Sequence, residues 1–249
     1  MQGRFFECLS RKYYLERDIM LRFVLLDLDD TLLDFAAAER AALSATLTEF
    51  GVAPKEELLA GYSEINAAMW RAMERGEIDR EELKLVRFRI FAEKFGLTLP
   101  VEKVKTAYEG RLGDGFFLMP RAEETLAALQ KKYDLYVLTN GTVAVQTRRI
   151  AGSGVERYIK GAFYSEEVGF QKPKKEYFDA VFARIPDFSA ESAVMVGDSL
   201  TSDVLGAKNA GLRSVWFNPK GQPRPENGIV DLEIKDLAEL LPLLKRTFG

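Results

Sequence analysis

The residues of this chain best suited to chemistry are the acids of the segment Asp27-Leu28-Asp29-Asp30-Thr31. They follow the apolar run 21–26, which only Arg22 interrupts, and this pattern is typical of a buried parallel strand. Side chains two residues apart on an extended segment point to the same side, so Asp27 and Asp29 are predicted to converge on one site. Converging carboxylates need a positive group between them, and a divalent metal ion is the simplest candidate. A solvated acidic turn before a helix is the alternative, which would suit one acid better than three.

Further polar residues follow other apolar runs along the chain. Thr139-Asn140-Gly141 ends the run 135–138, and its hydroxyl, its amide and the following helix N-terminus suit a phosphate. Gly197-Asp198 ends the run 193–196, with Asp203 five residues after Asp198. Lys172 lies in a loop beside Pro173, where we expect it to be buried against the acids or a phosphate rather than solvated.

Composition limits the chemistry. The chain has no histidine, which excludes a His-based triad, a His metal ligand and a His general base. Its single cysteine, Cys8, excludes an internal disulfide and a thiolate cluster. The net charge of −3 gives no reason to expect a nucleic-acid polymer as partner, and no apolar run approaches the roughly 20 residues of a membrane span. We therefore expect a cytoplasmic protein whose acid–base chemistry uses carboxylates, Lys or Tyr.

The elements that must position these residues alternate between helix and strand from residue 121 onward. Such alternation predicts right-handed crossovers and a doubly wound, parallel, Rossmann-like α/β sheet. In these sheets ligands bind beyond the carboxyl ends of the strands, where the polar residues lie.

The segment between the first strand and Pro120 differs, because its four periodic stretches (39–50, 56–74, 80–95 and 101–111) are all helical. We predict a helical cap at 36–113, inserted into a catalytic core formed by 20–35 and 114–249. The two connections at its ends make a hinge plausible. Residues 1–19 are predicted to be an extension outside this fold.

Taken in order, the motifs resemble those of the haloacid dehalogenase superfamily of hydrolases: Asp27-Leu28-Asp29-Asp30-Thr31, then Thr139, Lys172, and Gly197-Asp198 with Asp203. The helical insertion between the first two motifs is similar to that of the helical-cap branch. The stretch 165–203 resembles a narrower group, the house-cleaning nucleoside 5′-monophosphate phosphatases that include pyrimidine 5′-nucleotidases.

The resemblance implies a phosphomonoesterase that works through an aspartyl phosphate. Asp27 would be the nucleophile, and Asp29 would protonate the leaving oxygen and then activate water. Mg²⁺ would bind Asp27, the backbone carbonyl of Asp29, and Asp198. Lys172 and Thr139 would stabilise phosphoryl charge, with Asn140 as a further substrate contact and Asp203 behind Lys172 or a metal-bound water.

Several alternatives stay open at this point. The chain could hydrolyse another small phosphate monoester such as a sugar phosphate, or be a phosphosugar mutase. A metal-independent haloacid dehalogenase is disfavoured by Asp29, because carbon–halogen hydrolysis has no leaving oxygen to protonate. A non-enzymatic binding module is disfavoured because no motif acid is missing. Trp70, Arg87 and Phe88 are candidate substrate contacts in the cap, although the aromatic residues among them more often form the core of a helical bundle.

Overall fold

A six-stranded sheet forms the centre of the protein, whose computed structural model describes residues 20–248. The strand order is β3-β2-β1-β4-β5-β6 and every neighbouring pair is parallel. The strands are β1 Phe23–Leu26, β2 Asp134–Thr139, β3 Gly161–Tyr164, β4 Ala193–Gly197, β5 Arg213–Phe217 and β6 Leu232–Ile234. The predicted doubly wound α/β class is confirmed. The extension predicted at 1–19 lies outside the described residues.

Helices cover both faces of this sheet. Alternate side chains of β1 divide between the two faces: Val24 and Leu26 join the cluster that includes Leu126, whereas Phe23 and Leu25 pack in the cluster with Phe178. Burial on both faces explains why β1 is apolar throughout. The core helices are α5 Ala122–Leu129, α6 Val143–Ser153, α7 Ser165–Val168, α8 Lys175–Phe182, α9 Leu205–Asn209 and α10 Leu240–Phe248.

Four further helices form a unit with its own apolar core: α1 Phe35–Glu49, α2 Glu56–Glu74, α3 Arg80–Lys94 and α4 Val101–Leu112. We refer to this unit as the cap. The first of these helices begins four residues earlier than the pattern from Glu39 predicted, because Asp34 caps it by accepting a hydrogen bond from the backbone of Ala37 at 2.8 Å.

The two connections between the core and the cap run side by side. The backbone N–H of Asp34 donates to the carbonyl of Phe117 at 2.9 Å, and that of Met119 donates to Leu32 at 2.9 Å. Leu33 and Leu118 form an antiparallel bridge between these bonds. The chain therefore leaves and re-enters the core at one place.

Two of the elements that were not predicted from the sequence lie in the second half of the chain. The strand β6 is only three residues long and follows an irregular segment. A π-helical turn at Leu200–Val204 precedes α9, where the backbone N–H of Val204 donates to the carbonyl of Ser199. Turns of this kind are often found at functional sites, and this one carries Asp203. Among residues 20–248, no helix has both the length and the apolar character needed to cross a bilayer.

Candidate active site

The carboxyl ends of three adjacent strands bring the predicted site residues to one edge of the sheet. Asp27 directly follows β1, Thr139 ends β2, and Asp198 directly follows β4. Since β1 lies between β2 and β4, these residues are neighbours. The strand order reverses at β1 and β4, which is the place where open α/β sheets form their ligand crevice.

Lys172 lies at the centre of this edge and is only 1% exposed. Its ammonium donates hydrogen bonds to Asp27 at 2.6 Å, to Asp203 at 2.6 Å and to the backbone carbonyl of Leu138 at 2.8 Å. An ammonium group has three protons, so all of them are used. The lysine therefore holds one oxygen of Asp27 in place and offsets the charge of two buried acids.

The loop that carries Lys172 is fixed by Asn140. The side-chain oxygen of Asn140 accepts the backbone N–H of Lys172 at 2.9 Å, and its amide nitrogen donates to the Lys172 carbonyl at 3.0 Å. The side chain of Asn140 therefore positions Lys172. Asn140 also lines the cavity described below, and its predicted contact with the substrate stays a prediction.

Two glycines are required by close approaches at this site. A Cβ atom on Gly197 would lie 2.2 Å from a carboxylate oxygen of Asp203, and one on Gly141 would lie 2.2 Å from the amide nitrogen of Gln146. Both distances are far below van der Waals contact. The glycines thus allow Asp203 to reach Lys172, and Gln146 to reach the end of β2.

Asp29 faces the same cavity as Asp27, although β1 ends at Leu26, before either of them. Its carboxylate is 31% exposed and is held by two side chains of α6. Arg149 donates to one oxygen, and Gln146 donates to the other at 2.5 Å. Arg149 also donates to the backbone carbonyl of Gly115, in the return connection from the cap, at 2.9 Å. Sequence patterns did not identify Gln146 and Arg149, and their only signal is two polar residues on the apolar face of a helix.

Thr139 is 1% exposed, and its hydroxyl oxygen accepts hydrogen bonds from Gly141 at 3.0 Å and from Gln146 at 3.1 Å. Both acceptor positions of the hydroxyl are then filled, so its remaining hydrogen-bonding capacity is its one proton. The remaining acid of the first segment, Asp30, has a positive φ of 57° and accepts the backbone N–H of Phe35 at 3.1 Å. Asp30 therefore forms part of the turn into the cap.

Burial controls the electrostatics of the acids. It raises the pKa of the Asp27 carboxyl to about 8, and although Lys172 opposes the rise, the charges of Asp203 and Asp29 add to it. Burial and repulsion from Asp27 and Asp203 also raise the pKa of Asp198 well above its usual range. For Lys172, burial lowers the pKa, but the attraction of Asp203 and Asp27 outweighs this effect and raises it.

The same charges fit a divalent cation. Carboxylate oxygens of Asp27, Asp198 and Asp203 lie within 4.8 Å of one another. When all three carboxyls are ionised, their charge exceeds that of the single ammonium, and a bound cation would favour this ionised form. Carboxylate oxygens are the hard donors that Mg²⁺ prefers, and Asp27 and Asp198 can supply them. Asp203 is already bonded to Lys172 and to the backbone N–H of Ser199 at 3.1 Å.

A cavity of about 480 Å³ lies over these residues, between the core and the cap. This volume is within the range of small-molecule binding sites. Its floor includes Asp27, Asp29, Lys172 and Asp198, and its cap side includes Phe35, Glu39, Ser63, Asn66, Trp70 and Arg71. Among the predicted cap contacts, Trp70 lines this cavity. Phe88 does not, because it is fully buried in the cap and stacks on Tyr62 with ring centroids 5.0 Å apart.

Several hydrogen bonds join the cap to the core around the cavity. Arg80 donates to the hydroxyl of Ser165 at 2.5 Å and to the carbonyl of Gly141 at 3.3 Å. On the far side of the cavity, Thr201 donates to Glu74 at 2.9 Å. In this structure the cap therefore contacts the loops at the carboxyl edge of the sheet.

Comparison with known proteins gives matches over most of the chain. The family model of the haloacid dehalogenase-like hydrolases matches residues 21–211. The HAD-hydrolase YfnB of Bacillus subtilis is 40% identical over 223 residues, which are 90% of this chain and 95% of that protein. The pyrimidine 5′-nucleotidase PynA of Streptococcus pneumoniae is 35% identical over 226 residues, with 90% and 95% of the two chains covered.

Solved structures agree with these relationships. The crystal structure of YfnB, described as bound to magnesium and as revealing interdomain movement, superposes with a TM-score of 0.86 at 39% identity. That match covers 90% of this chain and 99% of the other. A 2-haloacid dehalogenase from Pseudomonas syringae superposes with a TM-score of 0.64 at 28% identity, covering 91% and 99% of the two chains.

Proposed function

This chain belongs to the haloacid dehalogenase-like hydrolases and is a phosphoric monoester hydrolase, and we propose that it is a magnesium-dependent phosphatase of nucleoside 5′-monophosphates. The observation that carries the proposal is the buried cluster on the cavity floor. There Asp27 is bonded to Lys172 beside Asp198, and Asp29 faces the same space. A nucleophilic carboxylate, a second carboxylate for proton transfer and fixed positive charge are the groups that phosphoryl transfer requires.

In the first step, an oxygen of Asp27 attacks phosphorus while the bond between phosphorus and the ester oxygen breaks. Protonated Asp29 gives its proton to that oxygen, so the products are the free alcohol and an aspartyl phosphate. Lys172 offsets the charge of Asp27, and the free proton of the Thr139 hydroxyl is donated to a phosphoryl oxygen.

In the second step, Asp29 takes a proton from water and the water oxygen attacks phosphorus. The bond between phosphorus and Asp27 breaks, which releases inorganic phosphate and restores both carboxyl groups. Asp27, Asp198 and the backbone carbonyl of Asp29 would hold Mg²⁺, which would neutralise the repulsion between the nucleophile and the phosphate. Asp203 keeps Lys172 in place throughout.

The position of Asp29 also bears on the dehalogenase alternative. Its carboxylate borders the cavity, and Arg149 and Gln146 fix its position there, so it can be in reach of the oxygen of a leaving group. Halide leaves as an anion and needs no proton. We therefore favour the phosphatase, although a haloacid dehalogenase shares the fold.

Two features support a nucleotide as substrate. Trp70 and Phe35 line the cap side of the cavity, and stacking of a base on an aromatic ring contributes roughly 1–3 kcal/mol in single-strand binding proteins. One relative at 35% identity is a pyrimidine 5′-nucleotidase. A sugar phosphate, which presents hydroxyl groups instead of a flat ring, is the competing substrate.

The test measures kcat/KM for phosphate release from uridine and thymidine 5′-monophosphate, a hexose phosphate and p-nitrophenyl phosphate, with Mg²⁺ and with excess EDTA. We expect the nucleotides to give the highest values and EDTA to abolish release. A higher value for the hexose phosphate would contradict the nucleotide assignment alone. Failure to hydrolyse any of the phosphate esters would contradict the whole proposal.

A further inference from the structure

A second polar cluster lies on the cap side of the cavity, opposite the acids of the core. It consists of Glu39 from α1 and Ser63 and Asn66 from α2, all of which line the cavity. Glu39 is 4% exposed and Asn66 is 2% exposed. Burying polar side chains to this extent costs free energy unless they are hydrogen-bonded. Their position beside a cavity therefore suggests that a bound ligand completes their hydrogen bonds.

The orientation of both side chains is fixed. The amide nitrogen of Asn66 donates to Glu39 at 2.7 Å, and its oxygen accepts from Arg87 at 3.0 Å. Arg87 is itself held by Glu109 at 3.4 Å. Asn66 must therefore direct its N–H₂ group toward Glu39, because only that group can donate and only its oxygen can accept from a guanidinium.

Hydrogen-bonding capacity remains on both groups. A carboxylate has about four lone-pair positions, and one oxygen of Glu39 accepts from Asn66 at 2.7 Å. The Asn66 nitrogen has a second proton beyond the one given to Glu39. The cluster thus offers a ligand one acceptor beside one donor. Burial raises the pKa of Glu39, although its bonds to Ser63 and Asn66 oppose that rise.

Trp70 lies next to this pair because of helical spacing. Ser63, Asn66, Ala67 and Trp70 follow an i, i+3, i+4, i+7 pattern and so share the face of α2 that borders the cavity. The small side chain of Ala67 leaves space between the polar pair and the indole. An aromatic surface next to a fixed acceptor and donor suits a flat ring with hydrogen-bonding groups along one edge.

We propose that Glu39 and Asn66 recognise the hydrogen-bonding edge of a pyrimidine base in the leaving group. Glu39 accepts the ring N3–H of uracil or thymine, or the exocyclic amine of cytosine. Asn66 donates to the adjacent carbonyl oxygen or ring nitrogen. This inference rests on the proposed nucleotide phosphatase activity and names two specificity-determining residues for it.

The experiment uses the full chain with Mg²⁺ and three substrates: uridine 5′-monophosphate, its N3-methyl analogue and p-nitrophenyl phosphate. Wild-type enzyme is expected to prefer the unmethylated nucleotide by at least 100-fold in kcat/KM, because methylation replaces the N3–H that Glu39 would accept with a bulky apolar group. Glu39→Gln should lower kcat/KM for uridine monophosphate by about 10- to 150-fold, the range for a hydrogen bond to a charged group. Its value for p-nitrophenyl phosphate should fall much less than that for the nucleotide, so the ratio of the two values is the readout, because this substrate has no such edge.

Glu49→Gln is the matched control, since Glu49 lies on the same helix but is half-exposed and bonded to Arg111 away from the cavity. This variant should leave both rates unchanged. Equal hydrolysis of methylated and unmethylated nucleotide by wild type would overturn the inference, and this arm needs no folded variant. An unchanged kcat/KM for uridine 5′-monophosphate in Glu39→Gln would also overturn the inference. The proposed nucleotide phosphatase activity would still stand in that case. Preference of wild type for a hexose phosphate would overturn the proposed substrate and the inference together.

Discussion

Replacing Lys172 by methionine removes one positive charge from the centre of the site with little change in shape. The lysine is 1% exposed and its three protons are all bonded, two of them to Asp27 and Asp203. In Lys172→Met these two carboxylates and the nearby Asp198 would face one another without any ammonium between them. We expect both stability and activity to fall.

The size of the stability loss follows from the burial of the pair. Removing one partner of a buried ion pair typically costs about 3–5 kcal/mol, because the other charge is left uncompensated. A chain of this size loses about 2–4 °C in Tm per kcal/mol, so the expected decrease in Tm is roughly 6–20 °C in EDTA. Mg²⁺ should restore more of the Tm in the variant than in wild type, since a cation in the cluster would compensate the same carboxylates. Loss of one fixed positive group should also lower kcat by about 10²–10³.

Thermal unfolding by circular dichroism, with EDTA and with saturating Mg²⁺, measures the first effect, and phosphate release measures the second. Lys174→Met is the control, because Lys174 is exposed and only two residues away. It should match wild type in both assays. A Tm of Lys172→Met in EDTA within about 2 °C of wild type would refute the argument, since the expected minimum cost corresponds to a larger shift.

Four further outcomes are expected. Asp27→Asn should lower phosphate release by roughly 10⁴–10⁶-fold while the Tm stays close to that of wild type, because Lys172 keeps Asp203 as its ionic partner. Turnover near the wild-type rate would exclude Asp27 as nucleophile. Exhaustive dialysis against EDTA should stop phosphate release and added Mg²⁺ should restore it, whereas full activity after dialysis would exclude a metal requirement. Gly197→Ala should lower the free energy of unfolding in urea by about 1–3 kcal/mol and reduce kcat, because the new Cβ atom would displace Asp203. A variant as stable as wild type would contradict this expectation. Arg149→Lys should reduce kcat more for alkyl phosphates than for p-nitrophenyl phosphate, because a loosely held Asp29 affects leaving groups that need a proton most, and equal reductions would argue against this role.

The part of the site that follows strand ends could be predicted from sequence. Asp27, Thr139 and Asp198 each come directly after an apolar run, and parallel strands bring their carboxyl ends to one edge. Periodicity of the helices likewise predicted the four helices of the cap to within a few residues. These signals are local, so they can be read along the chain without knowledge of distant contacts.

Other site residues depend on contacts between distant segments. Arg149 and Gln146 reach Asp29 from a helix more than 100 positions away, and Glu39 has the residue type expected on a solvated helix face. Phe88 shows the reverse case, because an aromatic residue on a periodic face suits either a cavity or a core, and here it packs in the core. Only the packing of the helices decides between these positions.

The side-by-side connections at Leu33 and Leu118 have a consequence for how the cap can change. The two ends of the insertion are hydrogen-bonded to each other, so the cap is a closed loop with respect to the core. The entropy of closing such a loop grows by only about 0.6 kcal/mol for each doubling of its length. Exchanging the present insertion of about 80 residues for one of about 10 would change this term by roughly 2 kcal/mol. The same catalytic core can therefore accept covers of very different size, and leaving-group preference can evolve by replacement of one contiguous segment while the phosphate-handling residues keep their positions.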